Sequence, residues 1–281
     1  MDYSLDKAYE LYYSLLYLAL EITRMQDLRL DAAKHKLLPS DEDLHPNMRF
    51  VENKFVKALS ENPEFVEYVD TKKLSWDADD ALVRGLLDRI LQSEAYQAYM
   101  ESTDEPSFEA DSELWRVIFK NIILPSDDLA EVLESKSVYW NDDLHVMGTF
   151  VLKTIRKYCQ SKNNGEDVTL LPQYKDEEDR QFGPILFETA VKNYDEYREL
   201  IDSFVNQHRW DADRLAFMDT VIMVTAITEL LKFPAIPIAV TLNEYIEIAN
   251  AYSTPKSGAF INGILYSVIN KLKADGVLFK S

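Results

Sequence analysis

The sequence predicts an all-α protein made of helical bundles, and three observations carry that reading. Apolar residues recur at helical spacing nearly throughout, as at Leu5, Ala8, Tyr9, Tyr12 and Leu16, which places them on one face of a helix. Strict alternation over the length of a strand is hard to find. Only 7 glycines occur in 281 residues. Sheet-rich and nucleotide-binding folds need more, for turns and phosphate loops.

Taken in order, the first helix carries the stripe from Leu5 to Leu16, extended by Leu15, Leu18 and Ile22. Leu38 to Asn47 is a polar loop holding Pro39 and Pro46. Helical spacing resumes at Leu82, Leu86, Leu87, Ile90 and Leu91, breaks over Ser102 to Ser107, and returns at Val146, Phe150, Val151 and Ile155. Ser161 to Gln173, around Asn163-Asn164-Gly165, is the strongest linker candidate, with a charged stretch from Asp176 to Arg180 after it. The expected division is therefore a helical region 1–175 and a C-terminal bundle 176–281, whose helices begin near Gly183-Pro184. In that bundle Leu215, Met218, Ile222, Ala226 and Leu230 form one stripe, ended by Phe233-Pro234 and Ile236-Pro237. Leu242, Tyr245, Ile246, Ala249 and Tyr252 form a second. After the tight loop Ser253 to Gly258, Phe260, Ile264, Val268 and Leu272 form a third.

A weak repeat joins Trp76-Asp77-Ala78-Asp79, Trp140-Asn141-Asp142-Asp143 and Trp210-Asp211-Ala212-Asp213. Asp or Asn there reads as an N-cap, with carboxylates where the helix dipole favours them and the Trp as a staple. A calcium loop at Asp211-Ala212-Asp213 is rejected, because Ala216 and Ile222 stand where its Gly and Glu are needed.

Composition narrows the function. Lys+Arg number 30 and Asp+Glu 49, a net charge of −19, which argues against a generic nucleic-acid binder. The single cysteine, Cys159, excludes an internal disulfide and a cysteine zinc site and fits a reducing compartment. Met1 to Asp6 has no basic leader, and no run reaches the ~20 uninterrupted apolar residues of a membrane span. The expectation is a soluble, cytoplasmic protein. No phosphate loop, dinucleotide fingerprint, zinc-protease or nucleophile-elbow motif occurs. His35, His45, His145 and His208 are dispersed. His45 beside Asp41, Glu42 and Asp43 is a metal candidate set against a plain solvated loop. Cys159 beside Arg156 and Lys157 is a low-pKa thiol candidate set against an ordinary helix cysteine. No catalytic residue, metal or cofactor is expected, and no enzyme activity.

The informative segment runs from Arg209 to Leu272. Asp219, Glu229-Leu230, Ile236-Pro237, Val240-Thr241-Leu242-Asn243-Glu244-Tyr245-Ile246-Glu247-Ile248-Ala249, Ser257 and Phe260-Ile261-Asn262-Gly263-Ile264-Leu265 form an ordered set. It resembles the NusB family of transcription antitermination factors. Leu38-Pro39 to Phe50-Val51 is similar to the longer, insertion-bearing members. The resemblance implies two small helical bundles and no catalysis. It implies binding to the boxA element of ribosomal RNA leaders with the ribosomal protein NusE, within the RNA polymerase antitermination complex.

Physical chemistry gives most of the matched residues two readings. Phe260 can stack on an unpaired base or serve as core. Ser257 and the first amides of its helix can receive a phosphate, or Ser257 can be an N-cap. Lys256 can pair with phosphate, and Asn262 can cap the turn or read a base edge. The resemblance makes Asp219 a partner-facing acid, where the plain reading is an exposed carboxylate on a bundle helix. Asn243 and Glu244 are expected to fix packing. Two departures bear on RNA binding: the chain starts after the place of a basic first helix, and Met223-Val224 stands where relatives often carry an arginine. A helical protein-interaction module that keeps the partner surface is the alternative. The regulatory bundle of an RNA methyltransferase is a third reading, disfavoured because no cofactor loop or catalytic cysteine motif follows. Partitioned, the charge is −16 over residues 1–180 and −3 over 181–281, and +2 from Lys232 onward. That distribution predicts weak, partner-dependent RNA binding.

Overall fold

The structure is a computed structural model that describes residues 2–140, 142–165, 168–207 and 215–280. Among the described residues every regular element is helical. Two compact units divide the chain, residues 1–173 and 174–281.

The first unit is organised around α1 (Asp2–Lys34), followed by α2 (Asp41–Leu44), α3 (Lys54–Ser60), α4 (Pro63–Lys72), α5 (Asp80–Leu91), α6 (Glu94–Glu101), α7 (Phe108–Ile118), α8 (Asp127–Lys136) and α9 (Leu144–Asn164). Leu11, Tyr12, Leu15, Leu16, Leu18 and Ile22 of α1 are fully buried, because α3, α4, α5 and α9 all pack on that helix. Helix starts are set by small polar caps. The side chains of Asn53, Asn62, Ser93, Ser107 and Ser126 each accept an amide of the following first turn, and Ser40 forms a capping box with Asp43 that opens the short α2 within the Leu38 to Asn47 segment. A π-helical turn, Phe119–Ile123, continues α7.

The tryptophan repeat is corrected. Neither Asp79 nor Asp143 makes a side-chain cap. Trp76 and Trp140 are buried instead. Their indole N–H groups donate to the carbonyls of Ser14 (2.9 Å) and Lys7 (2.7 Å) on α1, since a buried indole needs an acceptor. The third copy, at Trp210, lies outside the described residues. The expected linker is also more ordered than its composition suggests. Gly165 closes α9 in the left-handed region (φ 69°). Asn62 then donates to Val168 O (3.1 Å), Tyr9 to Leu171 O (2.7 Å), and Leu171 N to the Tyr12 hydroxyl (3.2 Å).

The second unit contains α10 (Glu177–Lys192), α11 (Tyr194–Gln207), α12 (Phe217–Lys232), α13 (Ile238–Tyr252) and α14 (Ser257–Ala274). Helix α10 starts ahead of Gly183-Pro184 and carries Pro184 inside it. Asp176 accepts the Asp179 amide (2.9 Å), and three acids in the first turn favour a start there. Helix α12 is central, packed by α10, α11, α13 and α14. Burial therefore runs round it, through Thr220, Ile222, Met223, Val224, Ala226 and Ile227, while Met218 of the expected stripe is exposed. Asn243 and Glu244 are exposed rather than packed. The buried polar pair is Tyr245 and Glu229, joined at 3.1 Å. Lys280 caps α12, donating to Phe233 O at 3.0 Å.

Candidate functional site

The loop between α13 and α14 is folded by short polar side chains. Asp219, in the first turn of α12, is buried. Its Oδ1 accepts the Ser253 hydroxyl at 2.5 Å and its Oδ2 the Ser257 hydroxyl at 3.1 Å. Ser257 Oγ also receives the Thr254 amide at 3.2 Å. A buried carboxylate needs such donors, and each of these hydroxyls gains an acceptor. Gly258 faces Asn250 of α13, whose side-chain Oδ1 would lie 2.2 Å from a Cβ there and would have to turn away.

This network fixes the N-terminus of α14 and settles the surroundings of the expected site residues. Lys256 is exposed and occupies the cap position, without a side-chain cap on the helix. Phe260 is half-buried and packs against the apolar core of the unit. Lys256 and Phe260 line one groove of about 670 Å³, together with Pro255, Gly263 and Ser267 of the same segment and Val205 of α11. Phe260 is thus partly core and partly groove wall. Asn262 is exposed and is not among the groove-lining residues.

Ser257 and Asp219 take internal positions. Ser257 is the first residue of α14 rather than its cap, and its hydroxyl bonds Asp219. Asp219 is buried, not an exposed carboxylate. The sequence reading names neither Val205 nor Ser267, and it names Gly263 only as part of the ordered motif. Phe260, Gly263 and Ser267 share a helix face, but Gly and Ser carry no hydrophobic signal. Val205 belongs to another helix.

The other candidate groups fall elsewhere. Burial, with the charges of Glu109 and Glu113, pushes the Cys159 thiol above its ordinary value, opposite to the activated thiolate a nucleophile needs. His45 is exposed at the end of α2. Among the described residues no group of three or more His, Cys, Asp or Glu could hold a metal ion. Among them, too, no helix is long and apolar enough to cross a membrane.

Fold and groove together define an all-helical protein whose C-terminal unit offers an aromatic and cationic groove at a helix N-terminus. The NusB family model matches residues 144–270. The match reaches back into α9, further than the motifs read from the sequence. The chain is 34% identical over 135 residues to the transcription antitermination protein NusB of Salinibacter ruber, covering 47% of this chain and 83% of that relative. It is 45% identical over 83 residues to the protein of the same name from Chloroherpeton thalassium, and 44% over 84 residues to that from Methylacidiphilum infernorum. The chain spans 39% and 59% of those two relatives, and each of the two matches covers 29% of this chain. The chain belongs to the NusB family. No solved structure matches it.

Proposed function

We propose that the protein is an RNA-binding transcription antitermination factor that takes boxA-type ribosomal leader RNA together with NusE, on elongating RNA polymerase in the cytoplasm. The groove carries this reading. It pairs an aromatic wall, Phe260, with a cation, Lys256, at a helix N-terminus. An aromatic face stacks on a base, while the cation and helix dipole attract its phosphate. Asn262, exposed on the same helix but outside the groove lining, would meet a base edge only beyond the groove. Ser257 contributes through Asp219 by holding the loop shape. Asp219 serves the partner surface in the same indirect way, since its carboxylate is buried. Residues 176–281 form the RNA-binding domain in this reading, and 1–175 an accessory helical domain. Binding of this kind makes and breaks no covalent bond.

A chain of net charge −19 with one groove cation holds RNA weakly by itself. The test is a titration of boxA RNA with and without NusE at two salt concentrations. The expected result is weak, salt-sensitive binding that NusE strengthens, and loss of both on Phe260→Ala. No RNA binding under any of these conditions, with NusE still bound, would leave the second reading: a protein-interaction module that keeps the partner surface. The internal pairing of Ser257 with Asp219 favours that alternative, because it removes one phosphate ligand.

A further inference from the structure

Helix α9 runs against the charge of its own unit. Residues 1–173 carry 19 Lys and Arg against 33 Asp and Glu. The 21 residues of α9 hold Lys153, Arg156, Lys157 and Lys162 and no acid. Asp142-Asp143 and Glu166-Asp167 stand before and after the helix, not on it. At 3.6 residues per turn, Lys153, Arg156, Lys157 and Gln160 fall on one face. Val151, Thr154, Ile155 and Tyr158, on the opposite face, are buried, because α1 and α7 pack there. Lys153, Arg156 and Gln160 are exposed, and Lys157 is half-buried.

The charges on this outer face are also unmatched. Elsewhere in the unit Lys7, Arg24, Arg29, Arg84, Arg89 and Lys136 each face an acid. None of the α9 cations makes an ion pair among the described residues. The Lys153 ammonium lies over the Phe150 ring, 5.6 Å from its centroid. Lys157 donates to Thr169 Oγ1 at 2.7 Å and to Leu170 O at 3.5 Å. All of these partners are neutral. Arg156 borders a groove with Glu109 and Glu113 of α7, but both oxygens of Glu113 are already held by Arg116.

We infer that the outer face of α9 is a second RNA contact, where Lys153, Arg156 and Lys157 hold phosphates of single-stranded RNA. The inference rests on the RNA-binding reading above and adds a site in the other unit. Charge complementarity selects the occupant. Three cations within little more than one helical turn suit a polymer that presents a row of phosphates. A cation already paired with an acid must give up that partner before it binds a phosphate, and these three have none to give up. Arg156 can meet a phosphate through two N–H groups, and the two lysines act as point charges. Such a face adds affinity and salt dependence, not a choice of sequence.

The test titrates boxA-containing RNA into the full chain at several salt concentrations, read by fluorescence anisotropy. Wild type is compared with the triple variant Lys153→Gln, Arg156→Gln, Lys157→Gln. A control triple, Lys57→Gln, Lys73→Gln, Lys120→Gln, removes the same charge from exposed positions elsewhere in the unit. The α9 triple should weaken binding by about tenfold or more at low salt and lower the slope of log affinity against log salt by about two. The control should stay within about threefold and keep the wild-type slope, because scattered charge acts only through the screened field. Lys157 also holds the segment after α9, so the double variant Lys153→Gln, Arg156→Gln is run beside the triple. It should keep the wild-type Tm and lower the slope by about one. Equal effects of the two triples, or a wild-type slope in both α9 variants, overturn the site. If Phe260→Ala abolishes binding while the α9 variants bind as wild type does, only the α9 site fails. If wild type binds no RNA at any salt concentration, the RNA-binding reading fails with it.

Discussion

Residues 1–173 and 174–281 are both wholly helical among the described residues, yet they use their polar groups differently. In the first unit polar side chains stitch distant segments together. Trp76 and Trp140 hold α1, and buried Asp111 receives the Tyr99 hydroxyl and the Lys54 amide, both at 2.7 Å. Its groove between α1 and α5 holds three arginines, each facing a carboxylate: Arg24 with Glu21, Arg29 with Asp88, Arg84 with Asp80. In the second unit polar side chains tie α12 to the α13–α14 loop, to α13 and to the tail after α14, but Lys256 at the groove makes no ion pair among the described residues. The first unit carries 19 Lys and Arg against 33 Asp and Glu, the second 11 against 16. The contrast teaches that a chain's net charge decides little about a binding site. What decides is whether a cation's partner is already present.

High pH should break the comparison hardest. Burial raises the pKa of eight tyrosines in the first unit, Tyr9, Tyr12, Tyr13, Tyr17, Tyr68, Tyr96, Tyr99 and Tyr158, with Tyr17 pushed up to about 12. In the second unit it raises Tyr197 and Tyr245. A raised folded pKa favours the protonated native state, so this stability is whole below pH ~10 and is lost as pH rises further. The first unit should unfold first on the alkaline side, seen as a cooperative phenolate absorbance step rather than a simple titration.

Trp115→Ala comes next. The ring is fully buried against Phe50 and Phe119, and its loss should cost about 3–5 kcal/mol, read as a shift in urea midpoint. Asp219→Ala leaves two hydroxyls without their acceptor and should cost about 1–3 kcal/mol. Adding Ser253→Ala and Ser257→Ala should recover part of it, and a purely additive triple variant would refute the network. Lys256→Ala is the smallest. It should leave stability alone, weaken boxA RNA about three- to fivefold, and lower the slope of log affinity against log salt by about one.

Much of this was legible in the sequence. Fold class followed from apolar spacing, and the α12–α13 and α13–α14 breaks from Pro234, Pro237 and Pro255. What escaped was set by tertiary partners. Asp beside Trp reads as a cap, but the indole N–H found a carbonyl on α1, many residues away. Pro184 reads as a helix boundary, yet Asp176 had already started α10. Asp219 reads as exposed because a lone acid cannot announce that two serines lie over it. Within the site, Lys256 and Phe260 carry chemistry that spacing can find. Gly263 and Ser267 line the same groove without an apolar side chain, so no pattern of hydrophobicity picks them out.

The Tyr12 hydroxyl joins α1, α9 and the strand of chain after α9, through Thr154 at 2.6 Å and Leu171 N at 3.2 Å. Helix α9 therefore belongs to the first unit by packing, although the family match begins at its first residue. The family match and the packing divide this chain at different points. A fragment cut to the family boundaries, 144–270, would strip α9 of α1 and bare Val151, Ile155 and Tyr158. It would also discard Leu278 and the Lys280 cap of α12. A swap between relatives made at the 173–174 junction should keep both cores whole, and one made at residue 144 should expose the α9 face that packs on α1.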